Sequence, residues 1–250
     1  MLRSPCLPFD KRFWVIICFK VMKTLDETKC LILFARAPLR GTVKTRLAED
    51  LGHSGAVRLY RAFVADLLAA ITRMNINLRI FYHPGKHEAL MRNWLGADAS
   101  LFVQQGADLG ERMHHALCCT AAEGYRNIIL IGSDIPGLNE QIINKAFSLL
   151  AEHPAVIGPA VDGGYYLIGF RSPGIFREAF TGIDWGSPNV LEKTLQRFRH
   201  KGKEAALLPS LRDIDNRADL QALAAGLSDS AARSSPLQHT RAVLAEMKMI

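Results

Sequence analysis

Apolar runs and amphipathic stretches alternate along the chain. Cys30 to Ala35 (CLILFA) is apolar throughout, with the length and character of a buried strand. A break carrying Pro38 and Gly41 follows, and a helix-like pattern resumes near Thr45. From Gly55 to Met74 the apolar positions Val57, Tyr60, Val64, Leu67 and Ile71 recur at helical spacing, with Ser54 as the expected N-cap. Leu78–Tyr82 predicts a strand closed by His83-Pro84-Gly85, then a short helix from His87 to Leu95 and a strand at Leu101–Gln104. A turn leads into a helix with Asp108 near its cap and Leu109, Met113 and Leu117 inward. Asn127–Ile131 (NIILI) predicts the central strand, ended by Gly132-Ser133-Asp134. Asn139–His153 reads as an amphipathic helix, and Ala155–Ile157 and Tyr165–Phe170 as two strands joined through Gly163-Gly164. Helical patterns around Ile175–Phe180 and Asn189–Phe198, a strand at Ala205–Leu208 and a helix at Arg217–Leu227 complete the series. This alternation at βαβ spacing predicts an α/β fold, a largely parallel sheet with helices on both faces.

At 250 residues the chain suits one large domain, placed at residues 22–227, and no internal repeat is present. Phe13 to Phe19 (FWVIICF) follows Lys11-Arg12 like a signal-peptide core. It is too short to span a bilayer, and no small-residue cleavage site follows. Residues 1–21 are therefore expected to be an extension, or to lie upstream of a start at Met22; a membrane-interacting N-terminus is the alternative. The tail, 228–250, opens with the polar run SDSAARSSP, which suits a linker. TRAVLAEMKM then offers a last helix, docked or loose.

The formal charge of +7 is spread along the chain, without an RGG tract, zinc knuckle or RNP-like motif. It favours small anionic ligands over nucleic acid. Five cysteines without a C-x-x-C pair imply reduced, packing thiols and a cytoplasmic protein.

Five places could carry chemistry. The loop after the first strand holds Arg36, Arg40, Lys44 and Arg46 with no acidic residue among them, and ligands of open α/β sheets lie beyond strand carboxyl ends. Fixed cations and free backbone N–H groups there suit a polyphosphate; a solvated basic loop is the bland alternative. Asp134, in IGSDIPGL, is either the N-cap of the next helix or a ligand for a divalent cation. Asp213 and Asp215 flank Ile214 and face one side of an extended chain, a costly pairing unless a cation such as Mg2+ or Mn2+ lies between them; Asp215 could instead cap the following helix. Gly163-Gly164, with Asp162 and Tyr165, allows close approach to a second substrate or simply makes a hairpin turn. Gln104-Gln105-Gly106 could read a base edge or a sugar hydroxyl, and Arg112 a phosphate or a neighbouring carboxylate. No P-loop, no G-x-G-x-x-G after the first strand, no G-x-S-x-G elbow and no zincin motif is present.

In this order, FARAPLRGTVKTRL, QQGADLGERM, IGSDIPGL, GPAVDGGYYLIG and LRDIDNRADL resemble the bacterial DUF2064 family of the GT-A (nucleotide-diphospho-sugar transferase) superfamily, over roughly residues 29–223. Members are usually labelled glycosyltransferase-like, and some are linked to arsenosugar biosynthesis. V-K-T-R-L and D-I-D also resemble the 2-phospholactate guanylyltransferases. Those enzymes carry Thr-Asn where Tyr165-Tyr166 follow Gly164, which argues against a phospholactate-type acceptor. The resemblance implies a GT-A three-layer sandwich with a mixed, mainly parallel sheet. It implies a nucleotide held by Ala35, Arg36, Gly41, Lys44, Arg46, Gln105 and Gly106, with Lys44 and Arg46 on its phosphates. It implies Mg2+ or Mn2+ on Asp134, Asp213 and Asp215, with Lys44 and Asp134 catalytic and Asp162, Gly163, Gly164 and Tyr165 at the acceptor.

The expected function is metal-dependent transfer of a nucleotide-activated group, first a glycosyl group from an NDP-sugar to a small-molecule acceptor. Nucleotidyl transfer from an NTP, or a non-catalytic nucleotide-binding accessory role, are the alternatives.

Overall fold

The run at 30–35 forms the middle of β1 (Asp26–Arg36), with Cys30 to Ala35 all buried. The structure, a computed structural model, describes residues 26–228 and 237–250. The expected extension at 1–21 and all but the first residue of the polar run at 228–236 lie outside the described residues. β2 (Ile76–His83), β3 (Leu101–Val103), β4 (Asn127–Ile131), β5 (Ala155–Pro159), β6 (Tyr165–Arg171) and β7 (Ala205–Leu207) complete a seven-stranded sheet of order β3-β2-β1-β4-β6-β5-β7. β6 runs antiparallel to both its neighbours, β4 and β5; the other pairings are parallel. The chain moves outward from β1 to β2 and β3, then crosses back to β4 on β1's other side. That reversal is the topological switch point, and it opens a crevice beyond the carboxyl ends of β1 and β4.

Alternating side chains of these strands build a core on each face. Leu31, Leu33, Ile129 and Ile131 meet Leu67 and Ile71 of α1 (Thr45–Thr72), Met91 of α2 (Glu88–Leu95), and Ile143, Phe147 and Leu150 of α4 (Glu140–Glu152). Ile32, Phe34, Ile128 and Leu130 meet Met113 and Leu117 of α3 (Leu109–Ala122) and, with Ile168 and Phe170 of β6, Phe198 of α5 (Val190–His200). Each such side chain contributes about 1.5–3 kcal/mol on burial, so the three layers hold by apolar area. Among the described residues no helix is long and apolar enough to cross a membrane.

The helix-like pattern expected near Thr45 and the helix expected from Gly55 form one element, so Ser54 lies inside a helix instead of capping one. α1 starts at Thr45 and kinks at Gly52, whose φ of 68° and ψ of 158° a glycine adopts without Cβ strain. The pattern at 175–180 yields only a 3₁₀ turn at Arg177–Phe180.

The C-terminal helix is docked. Leu244 of α7 (Gln238–Glu246) joins Leu59 and Phe63 of α1 and Leu220 of α6 (Arg217–Ser228) in a third apolar cluster. Buried Asp66 of α1 accepts from His239 N and Thr240 N, both at 2.8 Å, and so caps α7 across the packed interface.

Candidate active site

The loop after β1, the end of β4 and the segment before α6 enclose a cavity of about 440 Å³. Lys44 lies just before the first turn of α1 in left-handed conformation (φ 48°, ψ 47°), which turns its side chain under the loop. The side chain is only 2% exposed, yet Nζ lies 2.9 Å from Asp215 Oδ1 and 3.3 Å from Asp134 Oδ2. Burial alone would lower the ammonium's pKa; the two carboxylates outweigh it and raise the value above lysine's ordinary 10.5. Lys44 is therefore a fixed positive charge. Asp215 is likewise partly buried, which disfavours its charge, but Lys44 beside it holds the carboxyl below the usual range.

Both helix-capping alternatives are resolved by neighbours. Asn139 caps α4, its Oδ1 accepting from Ile142 N at 3.1 Å, which leaves the carboxylate of Asp134 to Lys44 and the crevice. Asn216 Oδ1 accepts from Asp219 N at 3.0 Å, and Asp219 Oδ2 accepts from Asn216 N at 3.3 Å. This reciprocal pair caps α6 and leaves Asp215 to Lys44.

Tertiary contacts bring the distant acidic segment in. Leu211 N donates to Pro159 O at 3.1 Å, Val161 N to Leu211 O at 3.0 Å, and Ile214 N to Asp134 O at 3.5 Å. Asp213 does not line the cavity; partial burial, then the carboxylates of Asp162 and Asp215, push its pKa up to about 6.

Tyr60 had no sequence signal beyond its place on the apolar helix face. Its hydroxyl accepts from Arg36 N at 2.9 Å, donates to Arg36 O at 3.2 Å and lies 3.2 Å from Ser133 Oγ. One buried side chain of α1 thus ties the end of β1 to the end of β4, and burial keeps that hydroxyl protonated. Thr42, Thr45 and His83 also line the cavity and were not expected there.

Of the expected nucleotide-binding residues, Ala35, Arg36, Lys44 and Arg46 line this cavity. Gly41 sits in the loop at φ 76°, outside the lining. Gln105 and Gly106 line a neighbouring hollow of about 340 Å³ with His114 and Arg177, whereas Gln104 and Arg112 reach the main cavity. Arg112 Nε donates to Gly106 O at 3.1 Å, and Glu111 pairs with Arg177. The residues expected at the acceptor form a tight turn. Asp162 is exposed and its Oδ1 accepts from Gly164 N at 2.9 Å. Gly163, at φ 91°, abuts the backbone of Pro188, and Tyr165 packs edge-on to Trp185.

No group of three or more His, Cys, Asp or Glu among the described residues is arranged to hold a metal ion. Asp134 and Asp215 remain 47% and 39% exposed around Lys44, an oxygen-only pair facing the cavity. Magnesium and manganese are commonly held by one or two carboxylates together with phosphate oxygens, so this pair fits an ion that arrives with a phosphate ligand.

The family model described as "Uncharacterized protein conserved in bacteria (DUF2064)" matches residues 66–187. A candidate nucleotide-diphospho-sugar transferase from Desulfovibrio desulfuricans G20 is 40% identical, covering 88% of this chain and 95% of its own, with a TM-score of 0.82. The chain belongs to the DUF2064 family. Two further structures share the fold alone with this DUF2064 chain. A 4-diphosphocytidyl-2C-methyl-D-erythritol synthase from Anaerococcus prevotii DSM 20548 is 13% identical (80% and 96% covered, TM-score 0.55). A cytidylyltransferase from Leptospira borgpetersenii is 14% identical (89% and 96% covered, TM-score 0.50). No curated protein matches the chain.

Proposed function

We propose that this protein transfers a nucleotide-activated group, with an NDP-sugar as donor and a glycosyl group passed to a small-molecule acceptor. The observation that carries this reading is the buried Lys44 ammonium between Asp134 and Asp215, on a cavity that Arg36, Arg46 and Arg112 also line. The description of the 40% identical relative as a candidate nucleotide-diphospho-sugar transferase supports it.

A diphosphate leaving group gathers negative charge as its bond to the sugar breaks, and charges already in place stabilise it without reorganisation. Lys44 stays protonated and cannot act as a base; its part is to neutralise that charge and to hold both carboxylates at the cavity. Arg46, exposed in the first turn of α1, adds a second cation to the phosphates. Asp134 and Asp215 would hold Mg2+ or Mn2+, which supplies Lewis-acid polarisation of phosphate oxygens. Asp213 stands behind Asp215, and exposed Asp162 beside it would receive the acceptor, positioned by the Gly163-Gly164 turn and by Tyr165 packed on Trp185.

Nucleotidyl transfer from an NTP is the second reading, favoured by the three arginines and one lysine around one cavity, which suit a triphosphate. A thermal-shift panel of NTPs and NDP-sugars, with and without Mg2+ or Mn2+, followed by product assay, separates the two. A ligand at a hundred times its Kd adds about 2.7 kcal/mol of stability. Stabilisation by one sugar nucleotide and release of a nucleoside diphosphate would support glycosyl transfer. Stabilisation by one NTP and release of pyrophosphate would move the assignment to nucleotidyl transfer, and binding without any product would make the protein an accessory binder. No stabilisation by any of them would overturn both transfer readings.

A further inference from the structure

We infer that Gln104 reads the nucleobase, and that the base it accepts carries an exocyclic amino group. The inference rests on the nucleotide reading above and concerns a different part of the same cavity. Lys44, Asp134 and Asp215 gather at the ends of β1 and β4. Gln104 follows β3, two strands from β1, or about 10 Å at ordinary strand spacing. A nucleotide with its phosphates on Lys44 therefore directs its base along the strand ends toward Gln104.

The side-chain amide of Gln104 is already oriented. Nε2 donates to Phe81 O at 2.9 Å, and the backbone N–H donates to Tyr82 O at 3.0 Å. A peptide carbonyl can only accept, so the terminal atom turned toward Phe81 must be the nitrogen. Oε1 is then the atom left for a ligand, without a hydrogen-bond partner among the described residues, on a residue that lines the cavity. Leu109, 40% exposed, lines the same cavity, an apolar surface fit for the flat face of a base.

An acceptor fixed in this way favours a donor on the ligand. Cytosine, adenine and guanine each present an amino group. Uracil presents only N3–H, flanked by two carbonyl oxygens whose lone pairs oppose Oε1. The geometry thus assigns CDP-, ADP- or GDP-linked substrates to this site and disfavours uridine.

The test is calorimetric titration of the full chain, and of Gln104→Leu, with CDP, ADP, GDP and UDP in the presence of Mg2+. The best amino-bearing diphosphate should bind the wild-type protein about tenfold or more tightly than UDP, equivalent to about 1.4 kcal/mol. In Gln104→Leu that diphosphate should fall to within a few-fold of UDP. A UDP affinity no weaker than that of the wild type reports an intact fold and phosphate site, and should the variant not fold, the wild-type ratio decides. Equal binding of all four, or retained discrimination in Gln104→Leu, overturns the inference and leaves the nucleotide reading standing. So does an equal loss when the 2′-deoxy form of the preferred diphosphate is used, since Oε1 would then serve the ribose. Failure of all four to bind overturns the nucleotide reading and this inference with it.

Discussion

Replacing Lys44 by methionine keeps most of the side-chain volume and deletes the charge between Asp134 and Asp215. The ammonium makes contacts of 2.9 and 3.3 Å and is 2% exposed, so in the wild type both attractions act in a partly desolvated space. Breaking a fully buried pair costs about 3–5 kcal/mol, much of it the penalty of the charge left behind. Here the residual charges are 47% and 39% exposed and regain water, which reduces the expected loss to about 1–3 kcal/mol. The raised Lys44 ammonium stabilises the fold at every pH below lysine's ordinary 10.5, and its share is lost only as pH climbs through the higher folded value. The lowered Asp215 carboxyl stabilises above 3.8, and its share is lost as pH falls through the lower folded value. The penalty of Lys44→Met should therefore be flat from about pH 5 to 9. Urea unfolding followed by circular dichroism, on a cycle of Lys44→Met, Asp215→Asn and the double variant at pH 7, isolates the pair. A coupling of about 1 kcal/mol or more is expected; a value within about 0.5 kcal/mol of zero would refute the ion-pair reasoning. In any assay of transfer, the same variant should lose about 3–4 kcal/mol of barrier stabilisation, a hundredfold or more in kcat.

Three further outcomes follow from the packing. Asp213, whose pKa is raised from 3.8 to about 6, is ionised at a cost in the fold, so its contribution is greatest below about pH 4 and is lost as pH rises through 6. Asp213→Asn should then stabilise by about 1–2 kcal/mol at pH 8, after discounting for partial exposure, and do nothing at pH 4; equal effects at both, in metal-free urea titrations, would contradict this. Asp66→Ala strips two backbone N–H groups of α7 of their acceptor and should cost about 2 kcal/mol, with hydrogen exchange at 238–246 accelerating before the sheet's. Gly163→Ala would place a Cβ 1.9 Å from Pro188 O at a φ of 91°, and a loss of about 2–4 kcal/mol in unfolding free energy is expected; a silent substitution would show that the turn yields freely.

Much of the fold was legible because parallel strands covered on both sides must be apolar throughout. Asn127–Ile131 coincides with β4, and Cys30–Ala35 lies within β1, because no polar residue interrupts either run. Asp108 as a cap was legible for the same local reason, since its side chain meets Glu111 N three residues on. The helix-like pattern near Thr45 was legible too, but not that it joins the helix beyond Gly52: in α1 Leu47 shares an apolar cluster with Ile214 and Leu220, partners more than 160 residues away in sequence. At the site, residue types and strand ends alone pointed to Arg36, Lys44, Arg46, Asp134 and Asp215. Tyr60 could not be found this way, because an inward tyrosine on a helix face reads as packing until its hydroxyl's partners are known.

By itself, then, the order of apolar runs determined a layered α/β chain whose basic loop follows the first strand, since periodicity and charge are properties of short segments. Only tertiary structure decided that Lys44 is buried between two carboxylates, that Asn139 and Asn216 rather than Asp134 and Asp215 cap the helices that follow, and that Gln104 instead of Gln105 faces the cavity. Each of those outcomes depends on which distant groups compete for the same donor or acceptor, and that competition exists only once the chain has closed on itself.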